Sequence, residues 1–128
     1  MKKKIAILGS TGSIGKTLIR ILKKDINNFE IVLLSANKNY HELIKQAKSL
    51  NVKNLIITNK NSFLKLKKNS ISKKVNVFNN FQLLDKIFKK KIDYTMSSIS
   101  GLDGLKPTLN IIKHTKSIAI ANKESIIC

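Results

Sequence analysis

Three glycines at intervals of three residues, Gly9, Gly12 and Gly15, mark the segment whose residue types are best suited to hold a ligand. They lie between the apolar run 5–8 and an amphipathic stretch, which is where dinucleotide-binding folds carry their phosphate-binding turn. In such a turn the first glycine permits a tight reversal, the second lets the backbone approach a diphosphate, and the third lets helix and strand pack closely. Main-chain N–H groups and the positive end of the helix dipole then attract the anion.

The residues between these glycines add donors, because Thr11 and Ser13 carry hydroxyl groups. The predicted cofactor-binding turn consists of Gly9, Thr11, Gly12, Ser13, Ile14 and Gly15. A turn that only reverses the chain is the structural alternative. A phosphate-binding nucleotidase is another, since Gly15-Lys16-Thr17 resembles the end of a Walker loop, although five residues instead of four separate it from Gly9.

The choice between NAD and NADP depends on the end of the second apolar run, residues 30–36. An NAD site usually places an acidic residue there for the ribose hydroxyls, but this run ends in Ser35 and continues into Asn37, Lys38 and Asn39. Lys38 supplies a positive charge, and Ser35 and Asn39 supply hydrogen-bonding groups. We therefore expect NADP(H), with Asn37, Lys38 and Asn39 binding the cofactor. The alternative is that Lys38 and Asn39 only form a turn and the N-cap of the next helix.

A second polar group, Asn122, Lys123 and Glu124, follows the last apolar run. Ligands of parallel sheets bind at the carboxyl ends of the strands, which is where these residues are expected to lie. Asn122 can hydrogen-bond a cofactor, Lys123 can bind a substrate phosphate, and Glu124 can orient either. An ordinary surface turn has the same composition and remains an alternative.

The elements that must position these groups alternate along the chain. Strands are predicted at 4–8, 30–36, 54–58, 75–78, 92–97 and 117–121, and helices at 14–24, 40–50, 62–68, 81–88 and 105–114. Strands that are apolar on both faces and alternate with helices pair in parallel through right-handed crossovers. The prediction is one α/β domain over residues 1–128, a doubly wound, Rossmann-like parallel sheet.

The charge of the chain suggests a nucleic-acid partner as an alternative, because 25 basic residues face only 7 acidic ones. Arg20 is the single arginine, although arginine is favoured for reading base edges. The five phenylalanines and two tyrosines are scattered and form no stacking platform. A lysine-coated surface that attracts small phosphorylated anions explains the composition, so we expect a small-molecule partner and no nucleic acid.

The lengths of the apolar runs and the cysteine content bear on the cellular compartment of the protein. No apolar run approaches the roughly 20 residues of a membrane helix, and the stretch after Lys4 is shorter than the apolar core of a signal peptide. Cys128 is the lone cysteine and cannot form an internal disulfide. These features predict a cytoplasmic protein without a membrane partner. Because the sequence ends on Ile126-Ile127-Cys128 without a polar tail, we expect an N-terminal piece of a longer protein.

Taken together, the motifs of this chain resemble those of the 1-deoxy-D-xylulose 5-phosphate reductoisomerase family. The resemblance rests on Gly9 to Gly15 after the first strand, Lys38-Asn39, Ser100-Gly101, Gly104-Leu105, Pro107-Thr108-Leu109 and Ala121-Asn122-Lys123-Glu124-Ser125. The order of these motifs is that of the family, and they cover essentially the whole chain. An NADP-binding domain of another oxidoreductase would share the glycine turn and Lys38 but would not need Asn122 to Ser125.

The resemblance implies an NADPH-dependent enzyme that converts 1-deoxy-D-xylulose 5-phosphate to 2-C-methyl-D-erythritol 4-phosphate in the non-mevalonate isoprenoid pathway. It places Thr11 to Ile14 at the diphosphate and Lys38 and Asn39 at the 2′-phosphate. It also places Asn122 and Glu124 at the cofactor and Lys123 at the sugar phosphate. Two positions depart from the family pattern, Asn37, where glycine is frequent, and Asp103, where a small apolar residue is usual.

The resemblance further implies a homodimer and a Mg²⁺ or Mn²⁺ ion whose carboxylate ligands follow the Asn-Lys-Glu-Ser stretch. Residues 1–128 would then contain no metal ligand and no catalytic residue, and would bind the cofactor without turnover.

Overall fold

The computed structural model describes residues 2–99 and 105–120, with only the backbone of Leu105 described. Six strands and five helices alternate in this part of the chain. The strands are β1 (Lys3–Leu8), β2 (Phe29–Ala36), β3 (Asn54–Ile57), β4 (Asn76–Phe78), β5 (Ile92–Ser97) and β6 (Thr115–Ile120). The helices are α1 (Ser13–Lys23), α2 (Tyr40–Leu50), α3 (Lys60–Lys68), α4 (Leu84–Ile87) and α5 (Leu105–Ile111).

All strand pairs in the sheet are parallel, and the strand order is β4-β3-β2-β1-β5-β6. The chain runs outward from β1 to β4 on one side, then returns to place β5 on the other side of β1. The order therefore reverses between β1 and β5, and the crevice at the carboxyl ends of these strands is the ligand position in such sheets. The Rossmann-like α/β class predicted from the sequence is confirmed.

Helices cover both faces of the sheet. Because alternate residues of each strand point to opposite faces, one strand contributes side chains to two cores. In β1, Ile5 and Ile7 pack in one core with α1, α2 and α3, whereas Ala6 and Leu8 pack in a second core with α4 and α5. All four side chains are at most 2% exposed. Burial on both faces explains why β1 is apolar throughout from Ile5 to Leu8 rather than alternating.

Most element boundaries differ from the sequence prediction by one or two residues, and α4 and α5 differ by three at one end. The helix predicted at 81–88 is a single turn, α4, and the chain before it is held at the end of β3, where the Asn79 Nδ2 group donates to the Ile57 oxygen at 3.0 Å. The helix predicted at 105–114 ends at Ile111 and continues as a 3-10 turn, Ile112–His114. The last strand begins at Thr115 rather than at 117, and residue 121 lies outside the described residues. Within the described residues, no helix is both long and apolar enough to cross a bilayer.

Candidate functional site

A cleft of about 840 Å³ lies at the carboxyl edge of the sheet, beside the reversal between β1 and β5. The cleft is formed by the glycine turn, the end of β2, the chain after β4, the chain after β5 and the start of α5. Its described lining residues are Gly9, Thr11, Gly12, Ser35, Ala36, Asn37, Thr58, Asn79, Asn80, Phe81, Gln82, Ser98, Ile99, Lys106, Pro107 and Asn110. The lining combines amides, hydroxyls and apolar groups, a composition that suits a nucleotide.

Gly9 makes the tight reversal between β1 and α1 that the sequence predicts. Its φ of 76° lies in the left-handed region, which side chains other than glycine adopt only with strain. A Cβ there would also lie 3.1 Å from the side chains of Ser98 and Ile99. The turn is therefore fixed by both its backbone conformation and the segment that follows β5.

Gly15 holds α1 against the turn, also as predicted. A Cβ on Gly15 would lie 2.7 Å from the Cα of Ser10 and nearer still to the carbonyl oxygen of Gly9, which is closer than atoms can approach. The absence of a side chain thus lets the first turn of α1 rest on the backbone of the loop. This close packing sets where the start of the helix lies relative to the cleft.

Gly12 differs from the other two glycines, because no contact among the described residues requires a glycine there. Its φ of −75° and ψ of 174° are open to any residue, and a Cβ would have the Gly9 oxygen at 3.8 Å as its nearest neighbour. Gly12 is exposed and lines the cleft. A glycine that neither its backbone conformation nor its packing requires is explained if a ligand must approach the backbone at that point.

The helix α1 begins beside the cleft, because its N-cap residue, Gly12, lines the cleft. Gly12 is the N-cap and makes no side-chain capping bond, and the first internal bond runs from the Lys16 N–H to the Gly12 oxygen at 2.8 Å. The amides of Ser13, Ile14 and Gly15 therefore lack partners within the helix. No acidic residue lies in this turn to neutralise the positive end of the helix dipole, so the site favours an anion.

Two serines that anchor the turn have structural roles that sequence reasoning missed. The carbonyl oxygen of Ser35 accepts the Gly9 and Ser10 N–H groups at 3.0 and 2.9 Å, and its hydroxyl accepts the Gly9 N–H at 3.1 Å. Ser98 donates its hydroxyl to the carbonyl oxygens of Leu8 and Gly9 at 3.0 and 2.8 Å. Ser35 is 2% exposed, so the expectation that its hydroxyl serves a 2′-phosphate gives way to a role inside the turn.

The polar residues after β2 are exposed at the edge of the cleft, and Asn37 lines it. The Asn37 Oδ1 accepts the Thr58 hydroxyl at 2.9 Å, which ties this segment to the end of β3. The Asn39 Oδ1 caps α2 by accepting the Glu42 N–H at 3.1 Å. The alternative prediction, that Asn39 forms the N-cap of this helix, therefore holds for its side-chain oxygen. That bond leaves the Nδ2 group of Asn39 for a ligand. Lys38 is exposed between them and carries the one positive charge of this segment.

Not every predicted binding residue lines the cleft. Gly9, Thr11, Gly12 and Asn37 line it, whereas Ser13, Ile14, Gly15, Lys38 and Asn39 are neighbours of these residues in sequence and are not among the lining residues. Asn122, Lys123, Glu124 and Asp103 lie outside the described residues. The lining residues from 79 to 82, with Lys106, Pro107 and Asn110, were not predicted from the sequence, since no local pattern shows that the chain after β4 and the start of α5 meet at the cleft.

Among the titratable groups, Asp93 belongs to the opposite edge of the sheet. The main-chain N–H of Lys4 donates to its Oδ2 at 2.8 Å and lowers the pKa of the carboxyl below its ordinary value of 3.8, with Lys116 acting in the same direction and partial burial opposing it. No group of three or more His, Cys, Asp or Glu side chains that could hold a metal ion occurs among the described residues.

Comparisons with known proteins agree on one family. A family model described as 1-deoxy-D-xylulose 5-phosphate reductoisomerase matches residues 5–128. The 1-deoxy-D-xylulose 5-phosphate reductoisomerase of Pelagibacter ubique is 66% identical over 98% of this chain and 33% of its own length. The protein of the same name from Phocaeicola vulgatus is 38% identical over 99% of this chain and 34% of its own length.

Solved structures of this enzyme share the fold. The Zymomonas mobilis enzyme in complex with NADPH superposes with a TM-score of 0.84 at 31% identity, covering 98% of this chain and 33% of that one. A second structure, in complex with NADPH, fosmidomycin and magnesium, has a TM-score of 0.82 at 25% identity and covers 97% of this chain and 31% of that one. The chain spans about a third of the length of the relatives that it matches.

Proposed function

Because the chain belongs to the 1-deoxy-D-xylulose 5-phosphate reductoisomerase family, we propose that residues 1–128 are the NADPH-binding domain of such an enzyme. The whole enzyme would convert 1-deoxy-D-xylulose 5-phosphate to 2-C-methyl-D-erythritol 4-phosphate in non-mevalonate isoprenoid biosynthesis. The bound nicotinamide would supply the hydride for the reductive step. The part of this function that the chain's own residues support is the binding and orientation of the coenzyme.

One observation carries the proposal, namely the start of α1 with Gly12 at its N-cap. The first amides of α1 have no partner within the helix, and no contact among the described residues requires a glycine at position 12, so the backbone there is open to a ligand. A diphosphate satisfies the donors and uses the open approach, which is how glycine turns of dinucleotide-binding folds work. The residues present therefore fit the coenzyme.

The predicted residues divide by the part of the coenzyme that they would meet. The diphosphate would lie on Thr11, Gly12, Ser13 and Ile14, with Gly9 and Gly15 shaping the turn. The 2′-phosphate would meet the Lys38 ammonium and the Asn39 amide, with Asn37 beside them. Asn122 and Glu124 would contact the coenzyme, and Lys123 the phosphate of the phosphosugar substrate.

One structural relative was solved in complex with magnesium, but the described residues of this chain do not fit such an ion. They contain no group of three or more potential metal ligands, so no step that depends on a metal is derived from them. In the whole enzyme the ligands would come from residues beyond this chain.

The remaining parts of the proposal concern the setting of the protein. A homodimer, a cytoplasmic location and the absence of a nucleic-acid partner are proposed together. The family assignment supports the first two. The single arginine and scattered aromatic residues support the third, since a net positive charge of 18, with lysine as nearly all of the basic residues, attracts small phosphates equally well.

The test of the proposal compares two coenzymes that differ only in the 2′-phosphate. Calorimetric titration of the chain should show saturable binding of NADPH and weaker binding of NADH. In the variant Lys38→Glu, NADPH should bind about tenfold or more weakly, while NADH changes little, because an ion pair to a phosphate becomes a repulsion.

The matched control is Lys48→Glu, which changes the same charge on an exposed lysine in the last turn of α2, away from the cleft. Its affinity for both coenzymes should remain close to that of the unmodified chain. Equal losses of NADPH and NADH in Lys38→Glu would contradict the role of Lys38. A chain that binds neither coenzyme, yet binds random duplex DNA, would contradict the proposed function.

A further inference from the structure

The cleft contains one charged side chain among its described lining residues, and the proposed function does not yet use it. This side chain is Lys106, in the first turn of α5. The other described lining residues are neutral. In a cleft lined otherwise by neutral groups, one ammonium is the main attraction for the negative charge of a ligand.

Lys106 lies across the cleft from the glycine turn. The helix α1 packs on the face of β1 that carries Ile5 and Ile7, whereas α5 packs through Ile111 on the face that carries Leu8. The cleft opens between these two layers, at the carboxyl ends of the strands. A ligand that rests on the amides of α1 therefore has the start of α5 on its other side.

The orientation of α5 is fixed by its contacts with the sheet. Ile111 is fully buried in the second core, and the Thr108 hydroxyl lies 3.5 Å from the Ser97 hydroxyl at the end of β5. Lys106 and Asn110 are one helical turn apart, and with Pro107 they form the side of α5 that lines the cleft. Lys106 is exposed there, and no carboxylate of the described residues lies within ion-pair distance of it.

We propose that Lys106 is the second half of a diphosphate clamp. Main-chain amides of the glycine turn hold the diphosphate from one wall, and the Lys106 ammonium contacts it from the other. The proposal rests on the proposed function, because it assumes that a dinucleotide occupies the cleft. It assigns Lys106 a coenzyme-binding role that the glycine fingerprint alone does not predict, and it distinguishes Lys106 from Lys38, which meets the 2′-phosphate.

The test measures the affinity of the variant Lys106→Gln for three ligands, NADPH, NADH and ADP-ribose. All three carry the diphosphate, only NADPH carries the 2′-phosphate, and only the first two carry nicotinamide. We expect the variant to bind all three more weakly by the same factor, about tenfold, since one charge-assisted contact at a partly exposed site is lost. The control Lys113→Gln removes a lysine just after α5 and outside the cleft, and should leave all three affinities unchanged.

The pattern of loss decides the proposal. Weaker binding of NADPH alone would assign Lys106 to the 2′-phosphate, and weaker binding of both coenzymes but not of ADP-ribose would assign it to the nicotinamide half. Either result, or no loss at all, would overturn the clamp while leaving NADPH binding by the unmodified chain intact. Failure of the unmodified chain to bind any of the three ligands would instead overturn the proposed function.

Discussion

At the scale of single residues, the three glycines of the turn answer three different physical demands. Gly9 is required by its left-handed backbone, and Gly15 by the overlap that a Cβ would make with a carbonyl oxygen. Gly12 has neither requirement, since a Cβ there would have no neighbour closer than 3.8 Å. The same residue type thus serves the fold at two positions and, in our account, the ligand at the third.

This difference predicts opposite outcomes for the same substitution at two positions. Gly15→Ala should lower the free energy of unfolding by about 3 kcal/mol, because the added methyl group overlaps backbone atoms that cannot rotate away. Gly12→Ala should change it by less than about 0.5 kcal/mol, as for a surface position. Urea denaturation of both variants measures these changes.

The second part of this prediction concerns the affinity of the Gly12→Ala variant for the coenzyme. Gly12→Ala should weaken NADPH about tenfold or more, which corresponds to about 1.4 kcal/mol, because its methyl group occupies the space in which the diphosphate lies. A Gly12→Ala chain that binds NADPH normally would show that the ligand does not approach this backbone. A stable Gly15→Ala chain would show that the helix can move away from the turn at little cost.

A binding residue can be predicted from the sequence when it belongs to a contiguous motif, but not when only tertiary packing brings it to the site. The glycines and Lys38 are proposed from the sequence because the turn and the end of β2 are contiguous segments with recognisable spacing. Lys106 is proposed only from the structure, since its place in the cleft exists only after α5 packs on the sheet. The structural role of Ser35 was missed, because the sequence does not show that the Gly9 N–H donates to its hydroxyl.

At the scale of elements, the strands were the most predictable part of the molecule. β5 and α2 have the bounds predicted from the sequence. For α2 the prediction rests on a helical apolar face, which is a local feature of the sequence. The segment around α4 was less predictable. Phe81, Leu84 and Phe88 have helical spacing and are all buried, but only Leu84–Ile87 is helical, since Phe81 packs from the loop after β4.

Three neighbouring strands meet at a charged contact on the amino edge of the sheet. Asp93 of β5 accepts the Lys4 N–H of β1 and lies 3.5 Å from the Lys116 Nζ of β6. These contacts lower the pKa of the Asp93 carboxyl, so its ionised form stabilises the folded chain. The contribution is complete above the ordinary value of 3.8 and is lost as the pH falls through the lower pKa of the folded state.

The variant Asp93→Asn tests this linkage. At about pH 6 it should unfold at a lower urea concentration than the unmodified chain, and the difference should shrink as the pH falls below about 3.9. Glu30→Gln is the control, because it removes an exposed carboxylate from the start of β2 on the same edge. A difference between Asp93→Asn and the unmodified chain that stays constant down to about pH 2.5 would contradict the pKa shift.

At the scale of the whole molecule, the described part of the sheet forms the proposed coenzyme site. The described residues contain no group of three potential metal ligands, and the chain covers 33% of its Pelagibacter relative. We therefore expect the 128-residue chain to bind NADPH without oxidising it. Incubation with NADPH, 1-deoxy-D-xylulose 5-phosphate and Mg²⁺ should leave the nicotinamide absorbance constant, whereas the full-length relative should reduce it. Steady oxidation by the chain alone would contradict this expectation.

A second groove of the molecule could also bind an anionic ligand. It is the alternative location against which the proposed coenzyme site at the glycine turn is tested. A groove of about 420 Å³ between α1 and α2 is lined by four basic side chains, Lys16, Arg20, Lys23 and Lys45, and by one carboxylate, Glu42. General attraction to the positive charge of the chain would place phosphates there as readily as at the glycine turn. The location of the bound coenzyme therefore separates a specific site from an electrostatic one.

The most direct test is a titration of the isotopically labelled chain with NADPH, followed by the main-chain amide resonances in NMR spectra. Our account predicts saturable shifts that are largest for Gly12, Ser13, Ile14 and Gly15, where the diphosphate meets the start of α1. Shifts largest at Lys45 and Ser49 in the groove between α1 and α2, with the glycine-turn amides unchanged at saturation, would contradict it.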